Sequence, residues 1–154
     1  MSTMTATTQV AAPPERVFAV YTDIEQAAER IPGILSVEVL SEGPVGDGFR
    51  WRETRKMFGK EATEEMWITG FEPPRRYTVA AESHGMKYAT EFAFEPDGEG
   101  TRVTWTFEGI PQTFAAKVMG ALMAPLFKGA MRKCMLEDLE ALRAVAESGG
   151  GASA

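Results

Sequence analysis

The chain holds one cysteine, Cys134, and one histidine, His84, in 154 residues. A single cysteine excludes an intramolecular disulfide. The pair together exclude the usual Cys/His zinc sites and leave little for a Ser-His-Asp arrangement, so no metal and no cofactor is expected. No uninterrupted apolar run reaches the ~18 residues of a membrane span, and no stable membrane insertion is expected. Residues 1–12 are polar and Thr-rich and lack a positive n-region, so they do not read as a signal peptide; the expected location is cytoplasmic. Positive charge is also scarce. A net charge of −6 argues against nucleic acid and against anionic membrane surfaces as partners. The glycine-rich GPVGDG lies between two strands, without the helix N-terminus that a phosphate loop needs.

With 44% apolar and 25% charged residues, the chain reads as one soluble domain over 1–148. A glycine-rich flexible tail is expected at 149–154. The chain is organised around a long helix expected over 111–148. Its apolar residues, from Phe114 through Met131 to Leu142, recur mostly at steps of three and four. Pro125 and Gly120 divide it: a packed half containing Cys134, Leu139 and Leu142, and a looser half near Met119, Met123 and Phe127 that lids a cavity.

The rest supplies a cover for that helix. Residues 3–11 read as a strand. Pro14 opens a short helix, and Asp23 is a plausible N-cap for a second, IEQAAERI. From Ile34 the period changes to two, and six strands follow, separated by short Gly/Pro turns such as PDGEG. Short turns require antiparallel pairing. In ILSVEVLSE, Ile34, Ser36 and Glu38 alternate against Leu35, Val37 and Val39. In KEATEEMWITGF, Met66 and Ile68 face inward, with a bulge before Phe71.

The opening PPERVFAVYTD, the segment IPGILSVEVLSEGPVGDGFRW, the turn GFEPPRRY and the strand GTRVTWTFEG resemble the START-like (SRPBCC) superfamily, in particular its polyketide cyclase/dehydrase-type small proteins. The resemblance covers roughly residues 4–147. It implies an α+β helix-grip fold: a seven-stranded antiparallel sheet wrapped around a long C-terminal helix, two short helices between strands 1 and 2, and a deep hydrophobic cavity. Members include cyclases, aromatases and lipid or quinone carriers.

Strand alternation names the cavity wall. Phe49, Trp51, Met66, Val79, Ala81, Tyr88, Phe92, Trp105 and Phe107 come from the sheet, and Met119, Met123, Phe127 and Met131 from the helix. A plain packed core would show the same pattern. Glu53, Arg55, Glu64, Ser83, Tyr88 and Thr90 are the polar residues on inward faces. Glu53 and Arg55 would orient a polar ligand end, or form a structural ion pair, or lie solvated at the rim. The ligand-binding set is thus Trp51, Glu53, Arg55, Met66, Ala81, Tyr88, Thr90, Trp105, Met119, Met123 and Phe127. The candidates for proton transfer are Glu53, Tyr88 and His84. Asp138, among Glu137, Lys133 and Arg143, reads as part of a solvated helix face.

These features favour a non-catalytic carrier or sensor of a small hydrophobic molecule (a lipid, isoprenoid or polyketide-like compound), monomeric or homodimeric. The alternatives are a cyclase/dehydrase-like enzyme using the cavity's acid-base residues, and a regulatory protein-interaction module using the basic outer face of Arg50 and Arg52.

Overall fold

The computed structural model describes residues 2–57, 59–83 and 85–152. The elements run β1 (Ser2–Val10), α1 (Pro14–Tyr21), a 3-10 turn (Ile24–Gln26), α2 (Ala27–Arg30), β2 (Ile34–Val39), β3 (Arg50–Met57), β4 (Lys60–Glu72), β5 (Arg76–Ser83), β6 (Met86–Asp97), β7 (Gly100–Pro111) and α3 (Phe114–Ala152). The seven strands form one antiparallel sheet in the order β1-β7-β6-β5-β4-β3-β2, a meander whose first strand joins the far edge beside β7. With α3 across its concave face, this is the helix-grip fold.

Each strand presents alternate residues to the helix. Ile68, Val103, Phe94 and Trp51 are buried, while their neighbours face water. Two bulges adjust this pattern. The β2–β3 register shifts between Ile34 and Ser36. Leu35 is thereby left exposed, while Ile34 is buried and Val37 and Val39 pack against the core. Ile34 therefore joins the face of Val37 and Val39 instead of opposing it. The second bulge falls between Thr69 and Glu72 in β4, as expected. Gly70 takes φ +59° there, a conformation that favours glycine. Phe71 consequently returns to the core and meets Phe18 at 5.4 Å between ring centres.

Helix α1 closes one end of the grip. Its Phe18 ring also lies 5.7 Å from Tyr77 and 5.3 Å from Phe94, and Tyr21 lies 5.4 Å from Phe92. Asp23 makes no side-chain cap; it pairs with Arg30 at 3.3 Å instead.

Helix α3 starts later than expected. Pro111 is still in β7, opposite Met86, and Thr113 provides the cap. Its hydroxyl accepts from the Ala116 N–H at 3.0 Å and its carbonyl from the Lys117 N–H at 3.0 Å, which satisfies donors of the first turn. The helix then continues to Ala152, through glycines assigned above to a tail. Met131, Met135, Leu139, Leu142 and Ala146 of α3 are buried. Over Phe114–Ser148 the helix is long and apolar enough to cross a membrane by length and composition, although charged residues interrupt every long apolar run. Its second half is core, as those five burials show.

Candidate functional site

Between α3 and the inner sheet face lies a cavity of about 540 Å³. Trp51, Glu53, Arg55, Met66, Ala81, Tyr88, Thr90, Trp105 and Phe127 all line it, together with Val79, Phe92, Phe107 and Met131. Alternation in β3–β7 is sufficient to place the sheet residues, because each strand keeps its register through this region. Phe49 is buried beside Trp51, at 6.1 Å between rings, but is not part of the lining.

Met119 and Met123 do not line the cavity; both are exposed. Residues 117–123 are exposed on every side of the helix, and a Cβ at Gly120, on the stripe that leads back from Met131, would meet nothing within 4 Å. This part of α3 stands clear of the sheet, so its methionines lie outside the cavity. His84 lies outside the described residues.

One end of the cavity carries a charged cluster built on Arg55. Its Nη2 donates to Asp138 Oδ2 at 2.9 Å, its Nε to Glu53 Oε2 at 3.3 Å, and its Nη1 to Cys134 Sγ at 3.0 Å. Glu53 also accepts from the Trp51 indole N–H at 3.4 Å. All three nitrogens of the guanidinium are therefore engaged, so Arg55 is not a free anion receptor. Glu53 and Asp138 are both buried, and unpaired carboxylates would be costly there. Burial pushes Asp138 above the usual carboxylate range even though Arg55 opposes the shift. Burial, with Asp138 beside it, pushes the Cys134 thiol up to about 11. Cys134 is thus a protonated thiol at neutral pH, not an activated nucleophile. Arg55, Cys134 and Asp138 also line a second depression, of about 780 Å³, on the far side of the cluster, together with Pro32, Gly33 and Lys56.

Asp138 and Cys134 are the site residues that sequence reasoning places elsewhere, Asp138 on the solvated face and Cys134 in the packed core. The signal is present: residues 131, 134, 138 and 142 follow one helical stripe, and both Met131 and Leu142 face the sheet. Charged neighbours at 137 and 140 mask it.

The other polar groups on the lining include the carboxylates Glu61 and Glu64 and the donors Lys60, Tyr21, Tyr88 and Trp105. Tyr88 stacks on Phe107 at 5.7 Å, and burial with nearby Glu64 raises its phenol pKa. Tyr21 is held protonated by burial first and Asp138 second. The Tyr21 hydroxyl and the Trp105 indole N–H are buried without a protein partner, and both residues line the cavity. No group of three or more metal-ligating side chains occurs among the described residues.

The outer face of β3 is different in kind. Arg50 pairs with Glu65 at 2.8 Å and lies 4.6 Å over the Trp67 ring; Arg52 pairs with Glu38 at 2.8 Å. This basic face is neutralised by acids from β2 and β4.

The structure is similar to the protein TTHA0849 from Thermus thermophilus, at 24% identity and TM-score 0.76, covering 94% of this chain and 97% of that one. It is similar to the Zhui aromatase/cyclase from Streptomyces sp. R1128, at 19% identity and TM-score 0.81, covering 96% and 94%. It is also similar to a START superfamily protein from Mycobacterium smegmatis, at 15% identity and TM-score 0.77, covering 95% and 97%. No curated relative matches the chain. The sequence model described as "Polyketide cyclase / dehydrase and lipid transport" matches residues 1–147. The chain belongs to that family.

Proposed function

We propose that the protein binds a neutral, largely apolar small molecule bearing one or more oxygens, as a cytoplasmic carrier or sensor. The observation that carries this reading is the polarity of the cavity. Apolar walls of about 540 Å³ end in a cluster whose only cation is already paired to two carboxylates. Burying an apolar ligand there gains about 25 cal/mol per Å². Asp138, whose contacts with Arg55 and Cys134 both use Oδ2, accepts a hydrogen bond from a ligand hydroxyl. The unpartnered Tyr21 and Trp105 groups donate to a carbonyl or ether oxygen. At that end a ligand carboxylate would meet two buried carboxylates and an Arg55 already paired to both, which disfavours fatty acids there; the other cation on the lining, Lys60, is exposed.

A cyclase-type activity needs a base with spare capacity. Glu53 already accepts from Arg55 and Trp51, and the Tyr88 phenol is held in its acid form. The carrier reading is therefore preferred. The test is displacement of Nile red from the cavity. A neutral isoprenoid alcohol should compete saturably, a fatty-acid anion of equal length at least about tenfold less well. Ala81→Phe, which fills the cavity, should abolish saturable binding. Equal competition by the two ligands, or full binding by Ala81→Phe, would refute the proposal.

A further inference from the structure

The first half of α3 has its large apolar residues on the side away from the protein. Phe114, Val118, Met119, Leu122, Met123 and Leu126 are between 43% and 80% exposed. At about 100° per residue they spread over one half of the helix surface. The opposite face, toward the sheet, carries the small residues Ala116 and Ala124 and then Phe127, all half-buried. A helix serving only the core would have these two faces exchanged. Six large apolar side chains in one continuous patch mark a contact surface.

Charge indicates the partner. Residues 109–136 contain Lys117, Lys128, Arg132 and Lys133 and no Asp or Glu, and all four cations are exposed. A local charge of +4 thus flanks the apolar patch on a chain of net −6. The chain-wide acidity that argues against anionic surfaces conceals this segment. A second copy docked face to face would bring the same cations together. An anionic lipid surface complements both properties at once, taking apolar side chains into the headgroup–acyl boundary and cations at the headgroups. Such docking is peripheral, because Met131, Met135 and Leu139, in the same long apolar helix, are buried in the core.

We propose that the outward face of α3 from Phe114 to Leu126 docks peripherally on an anionic phospholipid bilayer. Phe127, the next residue, lines the cavity, so docking brings that part of the cavity wall to the bilayer. The proposal does not depend on which ligand the cavity takes.

Co-sedimentation of the full chain with vesicles tests it. Vesicles of phosphatidylcholine with about 30 mol% phosphatidylglycerol should bind the protein at low salt, pure phosphatidylcholine at least about tenfold less, and high salt should weaken binding. Leu122→Gln/Leu126→Gln and, separately, Lys117→Glu/Lys128→Glu should each reduce binding at least about tenfold. Both should retain the wild-type melting temperature, since all four side chains are exposed. Failure to sediment with anionic vesicles would overturn the proposal, as would full binding by both double variants. So would a concentration-dependent dimer in light scattering that Leu122→Gln/Leu126→Gln abolishes, because the face would then belong to a second copy.

Discussion

Arg55→Ala is the sharpest perturbation of the site. The Arg55 side chain is 15% exposed, and its partners Glu53 and Asp138 are 10% and 6% exposed. Its removal leaves two buried carboxylates facing each other without a cation. Breaking a buried pair in this way costs about 3–5 kcal/mol. For a chain of this size each kcal/mol lowers the melting temperature by about 2–4 °C, so a fall of about 6–20 °C is expected at neutral pH. The pH dependence separates this mechanism from simple loss of packing. In the native protein Asp138 is raised by burial and held down by Arg55. Without Arg55, burial and Glu53 act unopposed, and the folded-state pKa moves further above the unfolded value. A group raised in the folded state stabilises it below the unfolded pKa, and that contribution is lost as pH rises through the folded pKa. The defect of Arg55→Ala should therefore be largest near neutral pH and shrink toward about pH 5. Urea unfolding followed by tryptophan fluorescence at the two pH values measures it. Arg55→Met/Asp138→Leu should recover about half of the loss or more, since apolar replacement of a buried pair is often neutral. A loss under about 1 kcal/mol, or one independent of pH, would refute the assignment of a buried, mutually compensating cluster.

Asp138→Asn should flatten the wild-type stability profile in the acid range. The raised pKa makes native stability decline as pH climbs above 3.8 through the folded value, and an amide removes that slope; an unchanged profile in urea unfolding would place the titration elsewhere. Cys134, pushed up to about 11, should react with a disulfide reagent at pH 7.5 at least about tenfold more slowly than the urea-unfolded chain; equal rates would contradict its burial in the cluster. Gly100→Ala should destabilise the fold by about 1–3 kcal/mol, because a Cβ there would collide with the Val10 carbonyl oxygen, and backbone cannot rotate away; a wild-type melting temperature would show that β1 and β7 have slack. Leu139→Ala, at 1% exposure, should cost about 2–5 kcal/mol, whereas Leu122→Ala, at 73%, should leave stability nearly unchanged; calorimetry on the pair tests the division of α3 into a core half and an outward half.

The sequence by itself determined whatever rests on local period and turn chemistry. Strand alternation in β3 to β7 placed Trp51, Glu53, Met66, Ala81, Tyr88, Thr90 and Trp105 on the cavity face, because a period of two leaves only two faces. The Gly/Pro turns dictated an antiparallel meander, and the mismatch of Phe71 with Met66 and Ile68 required a bulge in β4. Tertiary structure alone decided matters of phase and of distant pairing. Helical period shows that a stripe exists but not which length of it meets the sheet, and so Met119 and Met123 stand clear of it while Asp138 faces in. The register shift at Leu35 likewise follows from how β2 pairs with β3. Arg55 and Cys134 lie 79 positions apart. Their union with Glu53 and Asp138 exists because β3 and the second half of α3 cross at one end of the grip. No local pattern specifies that crossing, since burying these charges is tolerable only once each has found the others.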